Sequence, residues 1–220
     1  MINDQSEFWS NVAQKYDRVV DLQIGGQTRR MVRERLEKEG ALGSTVEFGC
    51  GTGFYTETLA AKTERLMATD LSPGMLDLAR SRVRAANVTF QPEDCQRTSL
   101  PDASFDTAFM SLVIHFTQPG EALKEMHRIL RPGGTLIVTN LDMRALQTLD
   151  RLRCFARIFY QGLVRYRTRP PRGFGRNILT EKQLCDLLRE SGFEVSGTET
   201  IRDPSRSSNI PIEYVKARKL

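Results

Sequence analysis

Residues Val46 to Phe54 read VEFGCGTGF, a short apolar run holding one acid, Glu47, and ending in glycines at 49, 51 and 53. A strand that stops at such a loop and continues into a helix lets the backbone approach a nucleotide-like ligand, because glycine has no Cβ in the way. A second strand-like stretch, RLMATD, ends in Asp70, seventeen residues past Gly53. An acid about 20 residues beyond a glycine loop sits where a ribose diol is held. The dinucleotide spacing G-x-G-x-x-G would put a glycine at position 54, where this chain has Phe54. A pyrophosphate needs an open helix N-terminus, so Phe54 disfavours a nicotinamide oxidoreductase.

Outward from this loop, strands and helices alternate. Helix-like stretches SEFWSNVAQKYDRVV and TRRMVRERLEKEG lead to strand TVEF, and helix FYTETLAAK separates it from RLMATD. A helix over SPGMLDLARSRVRAA follows, with Ser72 suited to cap it and Pro73 to its first turn. Strand NVTFQ, the acidic loop PEDCQRTSLPDASFD, strand TAFMSL and helix QPGEALKEMHRIL come next, and a turn at Pro132 to Gly134 enters strand TLIVTN. This rhythm predicts parallel β-α-β units with helices on both faces. Ligands in such sheets bind at the carboxyl ends of the strands, where the strand order reverses. Gly49, Asp70, Asp94 and Ser111 then fall along one edge. After Asn140 the rhythm breaks at an arginine-rich segment ending in RTRPPRGFGRN, which proline and glycine keep out of helix. Helix LTEKQLCDLLRESG, with a capping box at Thr180 and Gln183 and a stop at Gly192, precedes two closing strands, FEVSGTETI and IEYVKARK.

The chain has 220 residues, 40% hydrophobic and 27% charged, ordinary values for one globular domain with a single buried core. No apolar run approaches the ~18 residues of a membrane span, and MINDQSEFWS lacks the zones of a signal peptide. Cys50, Cys95, Cys154 and Cys185 are scattered, which suits reduced thiols in a cytoplasmic protein, and neither His115 nor His127 adjoins a cysteine pair, so no metal is expected. Charge is unevenly spread. Between Arg144 and Arg176 nine arginines face one acid, Asp150, giving +8, so against the total of +5 the rest of the chain carries −3. Such local basicity points to a partner surface.

The glycine loop resembles motif I of the class I S-adenosylmethionine-dependent methyltransferases. ATDLSPGML resembles the second motif of that family, LPDASFDTAFMSLVIHF its approach to the fourth strand, and EMHRILRPGGTLIV the helix and turn before the fifth. The resemblance spans roughly residues 45–140. It is nearest to the small-molecule subgroup containing ubiquinone- and menaquinone-type C-methyltransferases, sterol-type enzymes and phospholipid N-methyltransferases. It implies a single Rossmann-like α/β domain: a seven-stranded, mostly parallel sheet with helices on both faces and an antiparallel last strand. Residues 1–43 would form a helical cap, 44–140 the cofactor core, 141–178 an arginine-rich lid insertion and 179–220 the closing helix and strands.

By the same resemblance, Gly49, Cys50, Gly51 and Gly53 would shape the loop around the methionine and ribose of S-adenosylmethionine, or of its product S-adenosylhomocysteine. Glu47 would fix that loop and, through water, the ligand amino group. Asp70 would accept both ribose hydroxyls, and Leu71 would pack on the adenine. Asp94 would accept from the adenine amine, the Cys95 N–H would donate to a ring nitrogen, and Ser111 would line the methionine end. The implied reaction is methyl transfer to a small-molecule or lipid-like acceptor at N, O, S or C. The rival is a non-catalytic S-adenosylmethionine-binding protein that docks an acidic partner or a membrane through its arginines.

Methyl transfer from a sulfonium needs alignment, exclusion of water and, for a neutral nucleophile, a general base. His115 is the candidate base; it can equally orient or pack under its loop. Tyr16, in AQKYD, resembles an A-x-x-Y-D element that folds over the cofactor; its ring would cap the methionine chain and its hydroxyl would touch the sulfonium region, making it the second catalytic candidate, with the alternative of anchoring the first helix. Tyr55 divides the same way, Trp9 and Phe8 can close the substrate chamber or pack in the core, and His127 reads as a helix-surface or packing residue. In the arginine segment, Leu149, Leu152, Ala156, Phe159, Leu163 and Tyr166 share one helix face, with Arg151, Arg153, Arg157 and Arg165 on the other side. Such a helix can lie on an anionic membrane, at the inner face in a cytoplasmic setting, grip an acidic substrate, or cover the sheet. No RNA-binding motif accompanies it, which disfavours nucleic acid.

Overall fold

The computed structural model describes residues 4–143, 146, 148–160, 177–205 and 210–220. Seven strands form one sheet: β1 Gly43–Phe48, β2 Thr63–Asp70, β3 Val88–Pro92, β4 Phe105–Ser111, β5 Leu130–Leu141, β6 Phe193–Ile201 and β7 Ile212–Lys219. Their order is β3-β2-β1-β4-β5-β7-β6. The first five strands pair in parallel, and β7 runs antiparallel to both β5 and β6. The order reverses between β1 and β4, so the switch point lies at Gly49.

Alternation along the strands sends side chains to two cores. Val46, Phe48, Ala108, Met110, Leu136 and Val138 pack with helices α6 (Pro119–Ile129) and α8 (Glu181–Glu190) on one face. Phe109, Ile137 and Tyr214 pack on the other with α3 (Gly26–Glu37) and α4 (Thr56–Ala60). Helix α5 (Pro73–Arg82) covers β2 and β3. Its start is set as the sequence predicts: Ser72 Oγ accepts from the Met75 N–H at 3.2 Å, with Pro73 in the first turn. The capping box at Thr180 and Gln183 likewise closes the start of α8.

Three local expectations change. The first helical stretch is not continuous: α1 (Asp4–Val12) gives way to a 3-10 turn over Ala13–Lys15, then the short α2 (Tyr16–Val20) and a π-type turn over Asp21–Gly25. Helix α5 stops at Arg82, because Val83 already has extended backbone at ψ 130°. In the arginine segment, α7 (Thr148–Tyr160) turns Asp150 and Cys154 inward. Leu149 and Leu152 are 59% and 66% exposed, and Ala156 is exposed beside them. The stripe therefore does not cover the sheet at these positions. Residues 161–176, including Leu163, Arg165 and Tyr166, lie outside the described residues.

Candidate cofactor and active site

Beyond β1 the chain turns through Gly49 and Gly51, both in the left-handed region at φ +63° and +54°. The two glycines answer different needs. A Cβ at Gly49 would come within 2.3 Å of Val113 Cγ2, so packing excludes it. At Gly51 a Cβ would meet only the Tyr16 ring, at 3.7 Å, and would project where a cavity opens. Two backbone bonds tighten the loop, from Cys50 N–H to the Thr69 carbonyl (2.9 Å) and from Gly53 N–H to the Cys50 carbonyl (3.0 Å).

Asp70 ends β2 on the same cavity. One carboxylate oxygen accepts the Gly51 N–H at 2.9 Å, and the other accepts the Ser72 N–H at 2.9 Å. These bonds fix the carboxylate plane and leave a lone pair on each oxygen, the acceptor pattern that a vicinal diol fits. Burial pushes the Asp70 carboxyl up to about 6, against the opposing pull of its backbone donors. Leu71, Asp94 and Cys95 continue the wall. Asp94 Oδ1 is taken by Gln96, whose backbone N–H donates at 2.9 Å and whose Nε2 donates at 3.2 Å. Burial raises the Cys95 thiol well above its usual range, so it stays neutral.

The opposite wall is aromatic. Trp9 and Tyr16 come from the N-terminal helices and Phe116 from the 3-10 turn after β4; all three line the cavity. Trp9 meets Phe116 edge-on at 5.1 Å and Tyr16 at 5.9 Å, the offset geometry that ring quadrupoles favour. Burial pushes the Tyr16 hydroxyl up to about 12, so at neutral pH it is a donor and not a base. Leu112, also on the wall, is held at φ +58°, a strained conformation for a residue with a Cβ.

Five of the sequence-predicted site residues stand off this wall. Glu47 lies beneath the loop, 2% exposed, and its Oε2 accepts the Thr56 hydroxyl at 2.7 Å. Burial raises its carboxyl to about 8. Cys50 is buried, and a Cβ on the half-buried Gly53 would meet Val83 of the segment after α5 at 3.0 Å. Ser111 shares a 2.8 Å hydrogen bond with Thr139. His115 is buried behind Phe116, with ring centroids 3.9 Å apart, and its Nδ1 has no partner. Burial lowers its imidazole to about 4, so it is neutral at pH 7.

Sequence reading missed the group that fastens the Tyr16-bearing segment to the glycine loop. Asp17 accepts from Thr52 of the glycine loop at 2.8 Å, from Arg29 of α3 at 3.0 Å and from Arg82 of α5 at 2.5 Å. Arg29, only 3% exposed, also bonds Asp21 and lies 3.9 Å over the Phe54 ring. Phe54 thus serves as a platform for a buried cation at the position where a dinucleotide fold would need glycine. The available signal was the aspartate that follows Tyr16 in AQKYD.

A reversing parallel sheet, a glycine loop at its switch point and acids at the next two strand ends define an α/β domain built to hold a nucleoside. Comparison with known proteins gives that class its family. A family model described as a methyltransferase domain matches residues 46–138. The chain is 36% identical over 145 residues to a malonyl-[acyl-carrier protein] O-methyltransferase of Serratia marcescens, covering 64% of this chain and 54% of that one. A protein of the same description from Paenibacillus sp. (strain JDR-2) is 27% identical, covering 98% of this chain and 86% of the relative. The ubiquinone/menaquinone biosynthesis C-methyltransferase UbiE of Pseudomonas fluorescens (strain Pf0-1) is 32% identical, covering 60% and 56%. The chain thus spans about half the length of the Serratia and Pseudomonas relatives. Among solved structures, a SAM-dependent methyltransferase of Thermotoga maritima superimposes with a TM-score of 0.67 at 26% identity, covering 98% of this chain and 100% of that one. The [4+2]-cyclase SpnF gives 0.69 at 20% identity, covering 97% and 94%, a likeness of fold alone. Residues 46–138 thus match the methyltransferase-domain family, the fold and relatives are those of class I S-adenosylmethionine-dependent methyltransferases, and S-adenosylmethionine is the cofactor they imply.

Proposed function

We propose that this chain transfers the methyl group of S-adenosylmethionine to a small-molecule or lipid-like acceptor held under the aromatic wall. One observation carries the reading: Gly51, Asp70, Asp94 and Tyr16, drawn from four separate segments, converge on one cavity at the switch point. S-adenosylmethionine supplies an electrophilic methyl on a positively charged sulfur. Asp70, already oriented by Gly51 and Ser72, would take the ribose hydroxyls, and Asp94 the adenine amine. Gly51 leaves room for close backbone approach, and Glu47 would face the amino end through water. Trp9, Tyr16 and Phe116 would keep water from the reacting atoms and stack on a planar or apolar acceptor. His115 supports Phe116 from behind in this reading.

Methyl transfer itself rests on alignment more than on acid–base chemistry, and the lining suits that division of labour. The relatives' descriptions suggest two acceptors to try, a malonyl group on an acyl carrier protein and a quinone precursor. Calorimetry with S-adenosylhomocysteine should show binding, and Asp70→Ala should weaken it by roughly 1.5–3 kcal/mol through loss of bonds to a charged group. Tight NAD binding with no response to S-adenosylhomocysteine would overturn the reading. The cyclase neighbour shares this fold, and fold does not imply activity. Labelled methyl transfer from S-adenosylmethionine to either acceptor is therefore the test of catalysis.

A further inference from the structure

The face of α7 turned to solvent is apolar where a solvated helix should be polar. Leu149 and Leu152 are 59% and 66% exposed, and apart from the C-terminal Leu220 they are the exposed large hydrophobic residues among those described. Ala156 and Thr148 lie on the same face, since positions 148, 149, 152, 153 and 156 are all exposed while Asp150 and Cys154 point inward. Arg153, expected on the side opposite the leucines, instead stands one turn from Leu149 on the same outward face, its side chain 63% exposed. A basic charge beside an apolar stripe on one outward face is the arrangement of an interfacial helix. A helix covering a core has its apolar side inward.

The surrounding charge says what would cover this face. The segment from 144 to 176 carries +8, and its one acid, Asp150, is buried and paired with Arg153 at 3.3 Å. No other acid of the segment is available to neutralise it. The remainder of the chain is net negative, so the attraction to a negative surface would be directional. We propose that α7 docks this protein peripherally on an anionic lipid surface, Leu149 and Leu152 entering the headgroup boundary while Arg153, exposed beside them, meets the lipid phosphates and the net positive charge of the 144–176 sequence adds long-range attraction. Each arginine near an anionic leaflet adds to the attraction, and two inserted leucines convert a loose association into a seated one. No described helix is long and apolar enough to cross a membrane. The contact is thus with a surface, and it stands independently of the methyl-transfer reading.

Cosedimentation of the full chain with phosphatidylglycerol-containing vesicles tests the assignment, with pure phosphatidylcholine vesicles as control. The expected result is binding to the anionic vesicles only, fading as salt rises and the Debye length falls from about 10 Å at 0.1 M to about 3 Å at 1 M. Leu149→Ser with Leu152→Ser should lower the partition coefficient on the order of tenfold or more, by removing the inserted apolar groups. The melting temperature and S-adenosylhomocysteine affinity should stay unchanged, since both side chains are outside the core; the single variant Leu152→Ser repeats the test if the double variant folds poorly. Absence of wild-type binding at low salt would overturn the proposal, as would a variant that binds as well as wild type. Sedimentation velocity supplies a third arm: a dimer abolished by the same substitutions would give this face to a second copy of the chain and also overturn the lipid assignment.

Discussion

Replacing Glu47 by glutamine should flatten one part of the protein's pH–stability curve. Glu47 is buried in β1 and hydrogen-bonded to the Thr56 hydroxyl, and burial raises its carboxyl from 4.5 to about 8. The unfolded chain gives up this proton near pH 4.5, while the folded chain keeps it until about pH 8. Across that window the folded state binds more protons, so its stability falls as pH rises, by up to about 1.4 kcal/mol per pH unit. Between pH 5 and pH 8 the loss from this one group is about 3 kcal/mol. Glutamine is close in shape, still accepts from Thr56 and does not titrate. In urea unfolding of the cofactor-free protein, Glu47→Gln should gain about 3 kcal/mol on wild type between pH 5 and pH 8. Asp70 and His115 also titrate differently in the folded chain, but both are present in each protein and largely cancel in the difference. A difference constant to within about 0.5 kcal/mol across this range would show that Glu47 is ionised in the folded chain, and the argument from burial would fail.

The same group makes cofactor binding proton-linked. If the ammonium of S-adenosylhomocysteine faces Glu47, binding at pH 7 should release protons, giving a calorimetric enthalpy that varies with the buffer's ionisation enthalpy. That variation should shrink in Glu47→Gln, and equal variation in both proteins would remove Glu47 from the amino-end site. Asp17→Asn should cost about 2–3 kcal/mol and weaken S-adenosylhomocysteine binding, because it strips Thr52 and the buried Arg29 of an anionic partner. Full affinity in a folded Asp17→Asn protein would mean that the N-terminal helices do not need this clasp. His115→Ala should lower stability by about 2 kcal/mol with less than about a tenfold change in kcat, as expected of a side chain packed behind Phe116. A loss of about 10²–10⁴ in kcat at unchanged melting temperature would make it the base.

The parts of this molecule that were legible in the sequence are those where backbone geometry dictates residue type. Gly49 and Gly51 must be glycines, one for packing and both for a left-handed turn, and Asp70 ends its strand where two backbone N–H groups await a carboxylate. The alternation that predicted the sheet is likewise a local signal, and the two cores follow it strand by strand. What was not legible depends on partners distant in sequence. The Tyr16 side of the aromatic wall is fastened by the neighbouring Asp17, whose contacts reach residues 12, 35 and 65 positions away. For His115 the sequence leaves two roles open, base or residue packed under its loop, because the 3-10 turn that presents Phe116 and Thr117 to the cavity and buries His115 behind them is not a local sequence signal.

Helix α7 shows the limit most plainly. Periodicity groups Leu149, Leu152 and Ala156 on one face, and that grouping holds in the structure. Periodicity gives the phase of a face but not its direction, because direction depends on what else fills the neighbouring space. Met143 and Leu146, just before the helix, are buried and already occupy the apolar core on that side. The small Cys154 and the paired Asp150 suffice to close the contact, and the leucines are left outward. An amphipathic helix whose apolar side has been displaced from its own core must find another apolar phase or remain wetted. The arginines clustered around it in sequence favour a phase that carries negative charge.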